Sequence, residues 1–401
     1  MTLPLIIYRS MRQYAFSTLV TAASIALAGG LLMTVWMVKA QAQKSFLQTT
    51  TAFDAVLGAR GSKLQLVLNA IFHLEASPGN LSWQDYEFIR RNPAVQVAIP
   101  IAVGDNLRGY RIVGTIPKLF SDVEYAPGKN YGVEDGGRLF DPDAKEAVVG
   151  SFAAGRLGLK VGDTFHPFHG LAYDPNAEHA DIFTVVGIMK PTGTPLDRVV
   201  LIPIKGVQTM SGHDPRAATD ISAVLIKLRS PTAGFMLDLM INKQGNRLTL
   251  AYPVGAILAD LFSKISWFDR VLALVAYLVA LVAAASVLAS IYNSMNARKR
   301  DIAILRALGA GRRVVFSAVV AESACIGALG SAAGFAVYAG LFASVAAIIR
   351  AQTGVVLSLT ELHPVLWIAP VGMTALCALG GVIPAIKAYR LPVAENIAPV
   401  S

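Results

Sequence analysis

Residues 296–313 read NARKRDIAILRALGAGRR and lie between two long apolar runs. The stretch puts six cations and one carboxylate into 18 residues, in a chain that is 54% hydrophobic. Through Ile302, Ile304, Leu305 and Leu308 it also keeps the apolar spacing of a helix. A short basic loop accounts for the cations alone. It does not account for an apolar face followed by the Gly309-Ala310-Gly311 stop. A helix with such a face needs either lipid or a partner protein to cover it.

On both sides of this stretch the chain is membrane-like. Runs 15–38, 271–295, 314–349 and 365–386 each reach the roughly 20 apolar residues that cross a bilayer. The third run has 36 residues, about 54 Å as a helix. It must therefore project beyond the bilayer, break, or turn. The first run carries Ala40-Gln41-Ala42 just after it, which resembles a signal-cleavage site. Its 24 uncharged positions exceed a signal h-region of about 7–15 residues, so an uncleaved anchor fits better.

Charge sets the orientation. Arg9, Arg12, the six cations of 296–313, Lys387 and Arg390 oppose only Asp301 and Glu395, a balance of +8 within a net charge of +9. The positive-inside rule puts both termini and the 296–313 loop in the cytoplasm. The basicity is thus topological, and nucleic acid is not an expected partner. Trp36, Trp267 and Trp367 fall at the outer ends of spans, where indole rings favour the interface.

The expected organisation follows from these runs. Residues 1–38 form a cytoplasmic N-terminus and first transmembrane helix, and 39–270 an extracytoplasmic α+β domain with helical stalk ends. Residues 271–295 are the second span, 296–313 a cytoplasmic loop and 314–349 the third span. A short outer loop, 350–364, leads to the fourth span, 365–386, and a cytoplasmic tail, 387–401. The outer segment balances 24 cations against 22 anions. Cys325 and Cys377 both lie in apolar runs, so the outer domain has to fold on its core alone.

Within it, VQVAIPIAVGDNL, YRIVGTI, EAVVG, DIFTVVGIM, RVVLIPI and ISAVLIKL read as strands. SWQDYEFIRRNP reads as a helix with Ser82 as N-cap and Pro93 past its end. SFAAGRLGLKVGDTF reads as a helix, a glycine stop and a strand. KSFLQTTTAFDAVL and AILADLFSKISWFD read as helices continuous with the first and second spans.

RKRDIAILRALGA resembles the cytoplasmic loop of the FtsX/MacB-type permeases of ABC transporters. PAIKAYRLPVAENI, 384–397, is similar to that family's ending, and TGTPLDRVVLIPI, 192–204, to one of its outer-domain strand motifs. Asp301 stands where Glu is commoner. The resemblance implies that the loop is a coupling helix seated on a separate ABC ATP-binding subunit, with Arg300, Asp301, Ile304, Leu305, Arg306, Leu308 and Gly309 at the contact. It also implies a second permease copy, as a homodimer or heterodimer, in the cytoplasmic (inner) membrane. Mechanotransmission is the implied mechanism: ATP-driven motion passes to the outer domain. Efflux with a periplasmic adaptor, lipoprotein extraction with a carrier, and handling of a metal or metal-binding protein are the roles this allows. The alternative is an FtsX-like regulator of a cell-wall hydrolase, though such members have smaller outer domains.

No G-x-x-x-x-G-K-[ST] run exists in the chain, so ATP and Mg²⁺ belong to the partner. Neither G-x-S-x-G nor H-E-x-x-H is present, so no catalytic residue is assigned. Glu322 is a carboxylate inside the third span and a functional candidate by that fact; the plainer readings pair it with Arg312 or turn it to the second copy. GALGSAAG, 327–334, has the small-residue spacing of close helix packing. His166, His169 and His179, with Asp174, Glu178 and Asp181 nearby, are a candidate Zn²⁺ set. The plainer reading is a solvated loop between two strands.

Overall fold

The structure is a computed structural model that describes residues 3–49, 52–214, 219–297, 303–304, 306–307, 309–359 and 361–389. The chain forms two compact units. One comprises Met1–Gln41, Ser266–Ala347 and Ser358–Ser401; the other comprises Ala42–Ile265 and Ile348–Leu357.

The second unit is the outer α+β domain. Its strands are β1 (Ala55–Ala59), β2 (Leu81–Ser82), β3 (Val95–Leu107), β4 (Tyr110–Thr115), β5 (Glu124–Ala126), β6 (Lys129–Asn130), β7 (Glu146–Val149), β8 (Thr164–Phe165), β9 (Phe168–His169), β10 (Phe183–Ile188), β11 (Val200–Pro203), β12 (Asp220–Ile221), β13 (Ala223–Leu228) and β14 (Leu248–Ala251). Ten of them make one mixed sheet in the order β14-β1-β13-β3-β4-β11-β7-β10-β8, with β9 pairing on β3. The β4–β11 and β7–β10 pairs are parallel and their neighbours antiparallel.

The sheet has two cores because both its faces are covered. Along β13, Val224, Ile226 and Leu228 enter one core, while Ala223 and Leu225 enter the other. Along β11, Val200 and Ile202 part from Leu201 in the same way. This period of two on a doubly buried sheet is why the strands read as unbroken apolar runs rather than as alternations. Helices Trp83–Arg90 and Ser151–Leu157 cover the first face through Tyr86, Ile89, Ala153 and Ala154. Helix Lys63–Ala70 and the start of Val254–Ala297 cover the second through Leu66, Val67, Val254 and Leu258.

The two helix boundaries expected from capping chemistry are present. Ser82 and Asp85 form a reciprocal capping box at the start of Trp83–Arg90. Gly158 ends Ser151–Leu157 at φ 71, a left-handed cap that costs glycine little. One expectation fails. The helix from the first span stops at Thr49, and residues 55–57, expected to be helical, belong to β1, which lies between β13 and β14. Pairing on both edges supplies more than local helical spacing could. Strand β14 and helix Lys63–Ala70 were not anticipated.

The other unit holds the apolar helices. Among the described residues, four helices are long and apolar enough to cross a membrane: Ala15–Ser45, Val254–Ser286, Arg312–Thr353 and Val365–Tyr389. The third is unbroken over 42 residues. At 1.5 Å per residue it measures about 63 Å, twice a hydrocarbon core, so it neither breaks nor turns. The fourth is divided at Gly381 into Val365–Gly380 and Val382–Tyr389. Pro384 has no N–H to continue the ladder there. The small-residue stretch does bring helices together: a Cβ on Gly330 would lie 2.7 Å from the Ile25 side chain and 2.8 Å from the Ala22 carbonyl. Both cysteines are free thiols.

Candidate functional site

The chemistry-bearing site of the outer domain starts from an irregularity in β3. The β3–β4 register shifts between Val103 and Asp105, which leaves Gly104 as an extra residue. Without that bulge, Asp105 would share the face of Ile99 and Ile101. With it, Asp105 stands opposite Ile112, on the other face. There its carboxylate is fully buried.

Three imidazoles meet it. β9 pairs with β3 so that His169 lies opposite Asp105. The Asn106 amide, also fully buried, donates to the carbonyls of Phe168, Gly170 and Ala172 and so fixes the loop that carries His169. The hairpin closes through His179 N–H to Pro167 and His169 N–H to Ala177, which brings His179 back. His213 arrives from the loop after helix Ile204–Gln208. That loop is tied down by Asp181, which accepts from the Ser211 N–H at 2.7 Å and pairs with Lys145. Burial works to raise the Asp181 pKa, but the bonds from Lys145 and Ser211 outweigh it and hold the carboxyl at about 2.

Asp105 Oδ1 lies 3.2 Å from His179 Nε2, 3.2 Å from His213 Nε2 and 3.4 Å from His169 Nδ1. All four atoms fall within 4.8 Å of one another. The rings of His179 and His213 are held in one tautomer. His179 Nδ1 donates to the Ser211 carbonyl at 2.6 Å, and His213 Nδ1 to the Val207 carbonyl at 2.9 Å. A carbonyl only accepts, so the proton sits on Nδ1, and the Nε2 of a neutral ring offers a lone pair. The bond to Asp105 raises the pKa of His213. Asp105 Oδ2 is buried with no hydrogen-bond partner among the described residues.

The set expected from spacing alone is therefore corrected. His169 and His179 belong to the cluster, and His166 does not. His166 Nδ1 lies 3.2 Å from the His179 carbonyl and 4.0 Å from Glu178, on the exposed side of the hairpin. Asp174 builds a turn with Asn176, and Asp181 acts through Ser211. Asp105 and His213 were missed. The bulge glycine before an aspartate was the one local hint of the first.

A second polar cluster explains TGTPLD. The Asp197 carboxylate, 2% exposed, accepts from the N–H groups of Thr192 and Gly193 and from the Thr192 hydroxyl. Burial raises its pKa against those bonds. The turn so formed receives the end of the Arg312–Thr353 helix. Arg198 donates to the Gln352 carbonyl, and Arg350 lies 5.5 Å over the Phe152 ring. Gly354, at φ 76, passes so close that a Cβ would sit 3.0 Å from the Thr194 carbonyl.

Two family descriptions match the chain. FtsX-like permease C-terminal matches residues 273–393, and MacB-like periplasmic core domain matches residues 18–234, more than half of the 401 residues. The chain belongs to the FtsX/MacB-type ABC transporter permeases. Among solved structures, the chain is similar to the extracellular domain of the noncanonic ABC-type transporter YknZ from Gram-positive bacteria, at 15% identity. That match covers 49% of this chain and 97% of that one, with a TM-score of 0.30. It is also similar to the periplasmic region of MacB from Actinobacillus actinomycetemcomitans, at 12% identity over 53% of this chain and 95% of that one, with a TM-score of 0.35. No curated protein matches.

In this FtsX/MacB-type permease the 296–313 loop is described only in part. Arg300, Asp301, Leu305 and Leu308 lie outside the described residues. Ala303 is buried, while the neighbouring Ile304 is 42% exposed. Gly309 has φ 101, with its N–H bonded to the Arg306 carbonyl at 3.1 Å, as a helix stop requires. Glu322 is buried and accepts a hydrogen bond from the Ser10 hydroxyl, while Arg312 lies over the Tyr389 ring. The Ser10–Glu322 bond joins the Leu3–Gln13 and Arg312–Thr353 helices.

Proposed function

We propose that this permease passes ATP-driven motion from separate ATP-binding subunits to its outer domain, with two permease copies side by side and both termini in the cytoplasm. The observation that carries the reading is helix continuity. Helices Ala15–Thr49, Val254–Ala297 and Arg312–Thr353 are each unbroken, and each contributes residues to both compact units. A continuous helix transmits displacement where a flexible linker would absorb it. The outer ends of two of them are fastened within the outer unit. Val254 and Leu258 are buried in its core, and residues 350–354 are clasped by the Thr192–Arg198 turn. These continuous helices and their fastened ends support a mechanical role for the spans. ATP and Mg²⁺ act in the partner subunit, and this chain contributes no catalytic residue.

The orientation decides whether an ATPase can reach 296–313 at all. With Cys325 and Cys377 replaced by Ala, single cysteines go in at Lys118, exposed on the outer domain, and at Ser401. In intact spheroplasts an impermeant maleimide is expected to label position 118 and leave 401 unlabelled until the membrane is opened. Labelling at 401 without labelling at 118 would put the loop on the wrong side for any ATP-binding partner.

A further inference from the structure

We propose that Asp105, His169, His179 and His213 form a Zn²⁺ site on the outer domain, entered through the cleft beside it. The donor set is three imidazole nitrogens and one carboxylate oxygen. Ca²⁺ and Mg²⁺ require shells built of oxygen, whereas imidazole with a single carboxylate in four-fold array suits Zn²⁺. Metal–ligand bonds of 2.0–2.2 Å in a tetrahedron give ligand–ligand edges of about 3.3 Å. The three edges from Asp105 Oδ1 measure 3.2, 3.2 and 3.4 Å.

The hydrogen bonds around the cluster serve the same end. Backbone carbonyls hold the Nδ1–H groups of His179 and His213, which aims two Nε2 lone pairs at an oxygen that also only accepts. Facing acceptors repel unless a proton or a metal cation lies between them. One divalent ion satisfies all three rings in their neutral form, where three protons would crowd three imidazolium charges around one carboxylate. The bulge at Gly104 turns Asp105 to this face, and its buried Oδ2 has no hydrogen-bond partner among the described residues. A buried carboxylate oxygen left without a partner is costly. Access is present too: a cleft of about 370 Å³, lined by Asn80, Gln208, Asp214 and Asp220, reaches His169 and His213.

The ion would join three chain segments at one point: the β3 bulge, the hairpin from His166 to His179, and the loop that ends in His213. Zinc therefore rigidifies this end of the outer domain. The inference concerns the outer domain alone, so it stands or falls independently of ATP coupling.

The test uses the full chain in detergent, purified without a polyhistidine tag, stripped with chelator and reloaded with Zn²⁺. One zinc per chain is expected after gel filtration, with an X-ray absorption shell of N and O ligands at about 2.0 Å. His213→Ala and His179→Ala should each abolish the bound ion, and His166→Ala should keep it. Thermal unfolding of the wild type should move upward with zinc, and that of His213→Ala should not. Because a histidine variant can misfold, the wild type alone also decides: loaded with Co²⁺, it should show the intense visible bands of a tetrahedral ion. A wild-type chain that retains no metal, a six-coordinate cobalt spectrum, or full zinc occupancy in His213→Ala would each overturn the site.

Discussion

Leu305→Asp is expected to separate the permease from its ATP-binding subunit while leaving the membrane part folded. In the proposed coupling, the 296–313 segment seats an apolar face in a partner's groove. Ala303 is buried within this chain, whereas Ile304 is 42% exposed and available to a partner. Leu305 and Leu308 continue the same helical spacing. Burying one leucine contributes about 1.5–3 kcal/mol, and each 1.4 kcal/mol is tenfold in affinity, so the loss is roughly tenfold to a hundredfold. A carboxylate in an apolar groove adds to it. The measurement is co-purification with the ATP-binding subunit together with ATP turnover in nanodiscs. Wild-type assembly and turnover in a normally inserted Leu305→Asp chain would remove the loop from the coupling route.

Gly150→Val should damage the outer domain more than any cap substitution. Gly150 lies between β7 and helix Ser151–Leu157, and its N–H bonds to the Val199 carbonyl at 2.9 Å. A Cβ there would stand 2.4 Å from the carbonyl oxygens of both Leu196 and Asp197. These are main-chain atoms of the turn that clasps residues 350–354, so no side chain can swing away. Overpacking against movable side chains already costs up to about 3 kcal/mol, and this clash should reach that limit or exceed it. For a domain of this size that lowers the unfolding midpoint by about 6–12 °C. Gly155→Ala is the control: it lies in the same helix with nothing within 4 Å of its added Cβ. It should gain about 0.5–1 kcal/mol. Equal melting of Gly150→Val and wild type would mean that the turn is not packed as described.

The parts that were legible in the sequence are those set by local chemistry. Capping at Ser82, the Gly158 stop and the six β-branched runs need only neighbours a few residues away. Strand β1 misled because Ala55, Val56 and Leu57 continue the apolar spacing of the helix before it. Only pairing with β13 and β14, some 170 to 195 residues further along, makes it a strand. The site followed the same division. His169 and His179 share one hairpin and could be grouped by spacing. Asp105 is 74 residues from His179 and 108 from His213. No local pattern joins residues so far apart; a bulge, a two-residue strand and a loop after a short helix do so. Glu322 was visible as a charge in an apolar run, but Ser10, 312 residues away, was not visible as its donor.

The central claim, that ATP binding moves the outer domain, is tested most directly by a distance. With Cys325 and Cys377 replaced by Ala, a spin label at Lys118→Cys reports the separation of the outer domains of two permease copies in the complex with the ATP-binding subunits. The distance distribution in nanodiscs is compared between the nucleotide-free complex and the complex trapped with ATP and vanadate. The account predicts a shifted distribution on trapping, and no shift when both copies carry Leu305→Asp. Identical distributions in the two states of a complex that hydrolyses ATP would contradict it.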